Sequence, residues 1–114
     1  MSANDLYELG VVLAGEAKVG GAIEALEGAV ELDADHAQAC KLLARLSLQI
    51  NERRAFVNWC HEASRIDPND PEPYQMMADE LTRVGRHEEA NEAREAAARR
   101  NATREAAARR NATR

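Results

Sequence analysis

The sequence predicts an all-α fold, a short α-α superhelix of three helical hairpins, and three observations support this prediction. A pattern of small and apolar residues recurs with a period of 34 positions. Within each period the apolar residues follow the i, i+3, i+4, i+7 spacing of one helical face. Only three prolines and six glycines occur, and most fall between the helical segments. At 114 residues the chain suits one domain, whose hairpins must stack to bury their apolar faces.

The period divides the chain into three repeats that begin at Ala3, Ala37 and Pro71. Equivalent positions carry residues of similar size and polarity. The matched sets are Leu9, Leu43 and Met77; Gly10, Ala44 and Ala78; and Ala29, Ala63 and Ala97. We predict repeats over residues 3–36, 37–70 and 71–102, followed by an Arg/Ala-rich tail over residues 103–114.

The pattern of the first repeat predicts two helices. Its first apolar run covers residues 4–17, and Ser2 with Asp5 can form a reciprocal cap at its start. Gly20 and Gly21 predict the break between the helices. A second apolar stripe follows at Ala22, Leu26, Ala29 and Val30.

The second and third repeats have the same organisation. Pro68 cannot continue a helix, so it predicts the end of the second repeat. Asp70 can cap the next helix, and Pro71 suits its first position. That helix should run over residues 71–84 and turn at Gly85.

This pattern resembles the tetratricopeptide repeat, over about residues 3–102. The residues that carry the resemblance are Leu6, Leu9-Gly10, Leu13, Ala22, Leu26 and Ala29; Leu43-Ala44, Ala63 and Pro68; and Tyr74, Met77-Ala78, Leu81, Gly85, Ala90 and Ala97. Phe56 departs from it, because the family has alanine there. Arg94 also departs, because it replaces an aromatic residue of the family and suggests that no further repeat packs on the last helix.

The resemblance implies that the first helices of the repeats line a concave groove, which binds a protein or peptide segment. Matched position by position, the groove residues are Asn4, Tyr7, Val11, Gln38, Lys41, Arg45, Leu48, Gln49, Gln75, Asp79, Thr82 and Arg83. Tyr7 and Val11 would supply apolar contacts, and Lys41 and Arg45 a central positive charge. Such a groove suits a segment that carries an apolar anchor and an acidic group.

One subclass of the family is not expected. Members that grip a C-terminal carboxylate use Lys, Asn and Arg side chains from the first helices. The matching positions here are Tyr7, Val11, Leu42, Glu72 and Met76, so that clamp is missing.

The tail is a second, different repeat. The segment 94–103 reads REAAARRNAT, and 104–113 repeats it letter for letter. EAAAR segments favour helix, so we expect a solvated helical extension that frays towards Arg114. A basic docking arm and an engineered or duplicated spacer remain open as alternatives.

The net charge of −5 is unevenly distributed. Residues 94–114 carry +5 and residues 1–93 carry −10. Phosphates would be repelled over most of the surface, so general binding to nucleic acid or anionic membrane is not expected. The sequence has no long apolar run and no recognisable secretory signal, and we therefore expect a cytoplasmic location.

No catalytic motif is present: the sequence has no glycine-rich phosphate loop, HExxH or GxSxG. We expect no enzymatic activity and no cofactor. His36, Cys40, Cys60 and His61 could on paper bind a metal, and the two cysteines could form a disulfide. The favoured interpretation is that both thiols pack in the core as small apolar groups.

The leading functional hypothesis is therefore a protein-interaction adaptor or scaffold that binds a segment in the groove. A self-associating module is the alternative, because Val11, Val12 and Leu13 lie on a first helix with no preceding repeat. Nucleic-acid contact through the arginine tail is a third hypothesis.

Overall fold

The computed structural model describes residues 1–112 and confirms the all-α fold. These residues form six helices and no strand. The helices are α1 (Ala3–Gly15), α2 (Val19–Leu32), α3 (Ala37–Gln49), α4 (Arg53–Ile66), α5 (Glu72–Arg83) and α6 (His87–Ala112). None of them is both long and apolar enough to cross a membrane. The predicted fraying at Thr113 and Arg114 lies outside the described residues.

The helices belong to two compact units. Unit one spans residues 1–66 and holds α1 to α4, and unit two begins at Asp67 and holds α5 and α6. Within unit one, α1 packs on α2, α2 on α3 and α3 on α4. Within unit two, α5 packs on α6. Each hairpin is therefore an antiparallel helix pair joined by a short turn, while the predicted repeat boundaries stay a prediction.

The three hairpin turns share one backbone geometry. Ala17, Asn51 and Gly85 lie at equivalent positions of the 34-residue period, and their φ angles are 62°, 64° and 83°. The next residue of each turn donates its N–H back to a carbonyl five positions earlier. These bonds are Lys18 to Leu13 (2.9 Å), Glu52 to Ser47 (2.8 Å) and Arg86 to Leu81 (2.8 Å). This left-handed termination closes a helix by satisfying its last carbonyls.

The predicted break at Gly20 and Gly21 is wrong. Both glycines lie inside α2, which begins at Val19. The turn comes earlier, because Ala17 adopts the left-handed conformation that usually selects glycine. The prediction at Gly85 is confirmed, since that residue has the positive φ of the third turn.

The predicted caps are present. Ser2 and Asp5 form the reciprocal box, with Asp5 N–H to Ser2 Oγ at 3.1 Å and Ser2 N–H to Asp5 Oδ2 at 3.0 Å. These hydrogen bonds from Ser2 lower the pKa of the Asp5 carboxyl. Asp70 Oδ1 accepts the Glu72 N–H at 3.0 Å. Pro71 is the capping residue of α5 rather than its first helical residue.

Unit one has a core of aliphatic and aromatic side chains. Leu26, Leu43 and Phe56 are among its largest fully buried residues. Gly10 permits the close approach of α1 and α2, because a Cβ at this position would lie 2.6 Å from Leu26 Cγ. A glycine on one helix thus makes room for a leucine on the next.

Unit two has a core of small side chains. The buried residues of α6 are all alanines, namely Ala90, Ala93, Ala96 and Ala97. They accompany Pro73, Met77 and Ala78, the buried residues of α5. Beyond this contact, α6 continues without a break to Ala112, and residues 101–112 are all exposed. The predicted helical extension is therefore present over these residues.

Candidate functional site

An open depression of about 680 Å³ lies in unit one beside α1 and the start of α3. Residues from both helices and from the position before α3 line it. They are Asn4, Tyr7, Glu8, Val11, Val12, His36 and Gln38. It brings together apolar side chains, an aromatic ring and hydrogen-bonding groups, which is the usual composition of a recognition site.

His36 organises one wall of this depression. Its ring stacks on Tyr7, with centroids 4.9 Å apart and an interplanar angle of 27°. Its Nδ1 accepts the Ala39 N–H at 3.1 Å and so caps α3. Because an accepting Nδ1 carries no proton, the neutral ring has its proton on Nε2. Nε2 therefore donates to Asn4 Oδ1, at 2.9 Å, and fixes α1 to the start of α3.

The other wall is apolar and partly open to solvent. Val11 is 44% exposed and Val12 is 55% exposed. Glu8 of α1 also lines the depression, and its exposed side chain adds a carboxylate to it. The described lining residues include no lysine or arginine. The depression thus offers apolar contact next to a negative charge.

The structure brings four of the predicted groove residues together in the depression: Asn4, Tyr7, Val11 and Gln38. The other four of unit one do not line it. Lys41 is only 8% exposed, Leu48 is half-buried, and Arg45 and Gln49 are exposed. The positive charge predicted for the centre of the groove is therefore not part of this depression.

The remaining predicted groove residues lie on α5 in unit two. Gln75, Asp79 and Arg83 are exposed, and Thr82 is half-buried. Arg83 pairs with Glu80 of its own helix, which raises the pKa of the guanidinium. Thr82 donates to the Ala78 carbonyl at 2.9 Å and accepts a hydrogen bond from Arg94 of α6. Arg83 and Thr82 therefore already have partners within unit two.

The groove predicted from the sequence left out three residues that line the depression, namely Glu8, Val12 and His36. The period itself holds a signal for His36, because it is equivalent to Ser2 and Asp70. All three side chains accept an N–H near the start of the first helix of their repeat. Comparing capping positions along the period would therefore have placed His36 at the start of α3.

The two cysteines are buried free thiols in the core of unit one. Burial, together with the nearby charge of Glu62, raises the pKa of Cys40 to about 11. Burial raises the pKa of Cys60 to about 12. Both are protonated at neutral pH, and a protonated thiol is a poor metal ligand. Among residues 1–112, no group of three or more His, Cys, Asp or Glu side chains is placed to hold a metal ion.

Comparison with solved structures gives the fold. A crystal structure of MamA superposes with a TM-score of 0.85 at 22% identity, over 90% of this chain and 60% of that chain. The first TPR of Spaghetti (RPAP3), bound to the HSP90 peptide SRMEEVD, superposes with a TM-score of 0.78 at 16% identity, over 88% of this chain and 79% of that chain. The second TPR of Spaghetti, bound to the same peptide, superposes with a TM-score of 0.76 at 21% identity, over 85% of this chain and 90% of that chain.

The TM-scores establish a shared fold. The chain spans less than two thirds of the MamA structure. A comparison with curated proteins gave no match. The tetratricopeptide repeat family matches residues 13–80, which is more than half of the sequence. The predicted resemblance is thereby confirmed. The chain belongs to the tetratricopeptide repeat family.

Proposed function

We propose that this chain is a non-catalytic protein-interaction module that binds a short polypeptide segment in the depression beside α1 and α3. The observation that carries the proposal is the Tyr7–His36 stack next to the half-exposed Val11 and Val12. Aromatic rings and apolar side chains in a concave site are the usual source of affinity in such complexes. Asn4 and Gln38 add side-chain amides to its lining.

The chemistry of the depression changes the expected partner. An apolar anchor still fits, because Tyr7, Val11 and Val12 would lose solvent contact around it. The acidic group expected from the sequence does not fit this depression, because Lys41 is buried outside it and Glu8 lines it. The segment we propose carries an apolar side chain next to a cationic or N–H donor group.

Two TPR structures similar in fold are bound to a peptide, which supports this class of binding. The other groove residues predicted from the sequence stay a prediction and are not part of this proposal. They are Lys41, Arg45, Leu48, Gln49, Gln75, Asp79, Thr82 and Arg83.

A display selection tests the proposal without a known partner. Random peptides are selected on the intact 114-residue chain, and the affinity of each selected peptide is then measured by fluorescence anisotropy. Val11→Glu should weaken binding at least about tenfold, because it places a charge in the apolar wall. The matched control is Val57→Glu on α4, since Val57 is 39% exposed and does not line the depression.

The two variants share the same chemical change, so circular dichroism should show the same helix content for both. The proposal is supported if only Val11→Glu weakens the selected peptides. It is contradicted if the peptides bind Val11→Glu as tightly as they bind the unaltered protein.

A further inference from the structure

α1 and α3 are equivalent helices of the 34-residue period, but equivalent apolar positions on them differ greatly in exposure. Leu43 and Leu46 of α3 are 0% and 2% exposed. Their equivalents on α1, Leu9 and Val12, are 42% and 55% exposed. Within residues 1–112, the same helix face is therefore covered in the second repeat and open to solvent in the first.

The cover over α3 is an amphipathic helix, α2. One core cluster joins Leu43 and Leu46 to Ala22, Leu26 and Ala29 of α2, and all three α2 residues are fully buried. The three follow the i, i+4, i+7 spacing of a single helix side. The contact between α2 and α3 therefore shows what kind of element this face accepts: a helix with a stripe of small and aliphatic side chains.

The open face of α1 differs from the covered face of α3 in charge. On α3, Ala39 is fully buried in the cluster, and Leu42 packs against it. The equivalent positions on α1 carry the exposed acids Asp5 and Glu8. These acids and the two apolar residues follow i, i+3, i+4, i+7 spacing and share one side of the helix. We call this set the α1 face: Asp5, Glu8, Leu9 and Val12.

The carboxylates of the α1 face favour a cation beside the apolar contact. Asp5 Oδ2 accepts the Ser2 N–H at 3.0 Å, and an ionised carboxylate has further acceptor sites. The hydrogen bonds from Ser2 lower the pKa of Asp5 and keep it ionised at neutral pH. A lysine or arginine of a partner would complement this charge and that of Glu8.

We propose that the α1 face binds an amphipathic helix of another protein, which presents small and aliphatic side chains with lysine or arginine beside them. This helix packs on α1 in the way that α2 packs on α3. The surface is not the depression of the proposed function, because Asp5 and Leu9 do not line that depression. The two surfaces adjoin at Glu8 and Val12, which belong to both. The inference does not depend on the proposed function.

A second copy of this chain fits the α1 face less well. Pairing of two α1 faces would bring together Asp5 and Glu8 of both molecules, and each chain has a net charge of −5. Like charges repel each other. A partner helix with basic residues replaces this repulsion with attraction.

The probe for the test is a basic version of α2. It is a synthetic peptide of residues 18–33, capped at both ends, that carries Glu24→Lys, Glu27→Lys and Glu31→Lys. All three glutamates are exposed in the structure, so the changes leave the apolar stripe of α2 intact. A second peptide keeps the glutamates and is the control for charge. Fluorescence anisotropy measures the affinity of each labelled peptide for the intact 114-residue chain.

The lysine peptide should bind the unaltered chain at least about tenfold more tightly than the glutamate peptide, because the α1 face is acidic. Leu9→Gln should weaken the lysine peptide at least about tenfold, because an amide replaces an apolar side chain in the contact. The matched controls are Val11→Gln in the depression and Val57→Gln on α4. Both controls should keep the affinity, and circular dichroism should show equal helix content for all three variants.

The inference is supported only if Leu9→Gln alone among the three variants weakens the lysine peptide. It is overturned if the lysine peptide does not bind, or if the glutamate peptide binds as tightly. It is also overturned if Val11→Gln weakens the lysine peptide and Leu9→Gln does not, because the peptide then lies in the depression. None of these results decides the proposed function, which the randomly selected peptides test separately.

Sedimentation equilibrium distinguishes a second copy from another protein as the occupant of the α1 face. We expect the unaltered chain and Leu9→Gln to have the same mass over a concentration series. If the unaltered chain dimerises and Leu9→Gln does not, a second copy covers the face and the inference is overturned.

Discussion

Units one and two contain helical hairpins with the same backbone turn, but the side chains packed between their helices differ greatly in size. In unit one, Gly10 on α1 faces Leu26 on α2. At the equivalent positions of unit two stand Ala78 and Arg94, and Arg94 is exposed and hydrogen-bonded to Thr82. The left-handed turns nevertheless agree in both units. The comparison shows that the period specifies the backbone, while the residues filling it decide how much apolar surface each unit buries.

This difference should appear in stability, because buried apolar area is the main favourable term in folding. Unit one buries leucine and phenylalanine, whereas unit two relies mainly on alanine. Trp59, the only tryptophan, lies in unit one and reports on that unit by fluorescence. We therefore expect α5 and α6 to exchange amide hydrogens faster than α2 and α3.

The largest expected effect is a truncation in the core of unit one. Leu26→Ala should lower the free energy of unfolding by about 2 to 5 kcal/mol, since the fully buried leucine leaves a cavity. Met77→Ala in unit two should cost less, about 2 kcal/mol, because Met77 is 9% exposed and its side chain is flexible. Urea denaturation followed by circular dichroism measures both. An equal or larger loss for Met77→Ala would contradict the comparison.

Alkaline pH should destabilise the chain through unit one, which holds both cysteines. Burial raises their pKa values from 9.0 to about 11 for Cys40 and about 12 for Cys60. Above pH 9 the unfolded thiols lose protons that the folded thiols retain, so the stability present below pH 9 falls towards pH 11. The expected loss between neutral pH and about pH 9.5 is about 1 to 2 kcal/mol.

The control for the pH effect is the double variant Cys40→Ala with Cys60→Ala. It should be less stable at neutral pH but lose less stability on raising the pH to 9.5, as measured by urea denaturation with Trp59 fluorescence. If the double variant has the same pH slope as the unaltered chain, the thiols are not the cause.

The close contact of Gly10 gives a smaller effect. Gly10→Ala should cost about 1 to 2 kcal/mol, because the new methyl meets Leu26 and this clash outweighs the better helix propensity of alanine. Gly20→Ala in α2 is the matched control, since nothing lies within 4 Å of its added Cβ. The control should be neutral or stabilising. Thermal denaturation measures the melting temperature of both variants. Equal melting temperatures would refute the close contact at Gly10.

The smallest effect concerns the turns. Ala17 has a φ of 62° without being glycine, so Ala17→Gly should stabilise the first hairpin by up to about 1 kcal/mol. Gly85→Ala, the reverse change in unit two, should destabilise by about 1 kcal/mol. The difference in melting temperature between the two variants checks the prediction. A stabilising Gly85→Ala would show that the turns are not equivalent.

The sequence predicts the fold well because its signals are periodic. Helix starts at Ala3 and Ala37, the Ser2–Asp5 cap and the Gly85 turn all follow from local chemistry. The position of the first turn does not follow from local chemistry. The hydrogen bonds at the end of α1 place Ala17 in a left-handed conformation, which a residue with a side chain disfavours.

The candidate site is predicted less completely. Asn4 and Gln38 are one period apart, and both line the depression as expected. Lys41 does not line the depression and is only 8% exposed. Its long aliphatic side chain allows neighbouring residues to cover most of it, although it is charged. His36 was considered as a metal ligand with Cys40, and its pairing with Asn4 depends on the spatial neighbourhood of α1, which no local pattern contains.

The His36 ring has one further consequence. Its two nitrogens join the Asn4 side chain on one side to the Ala39 amide on the other. A ligand that displaced the Asn4 side chain would remove one of the two hydrogen bonds that hold the His36 ring. The backbone amide resonance of Ala39, whose N–H donates to that ring, is therefore the signal to follow in an NMR titration.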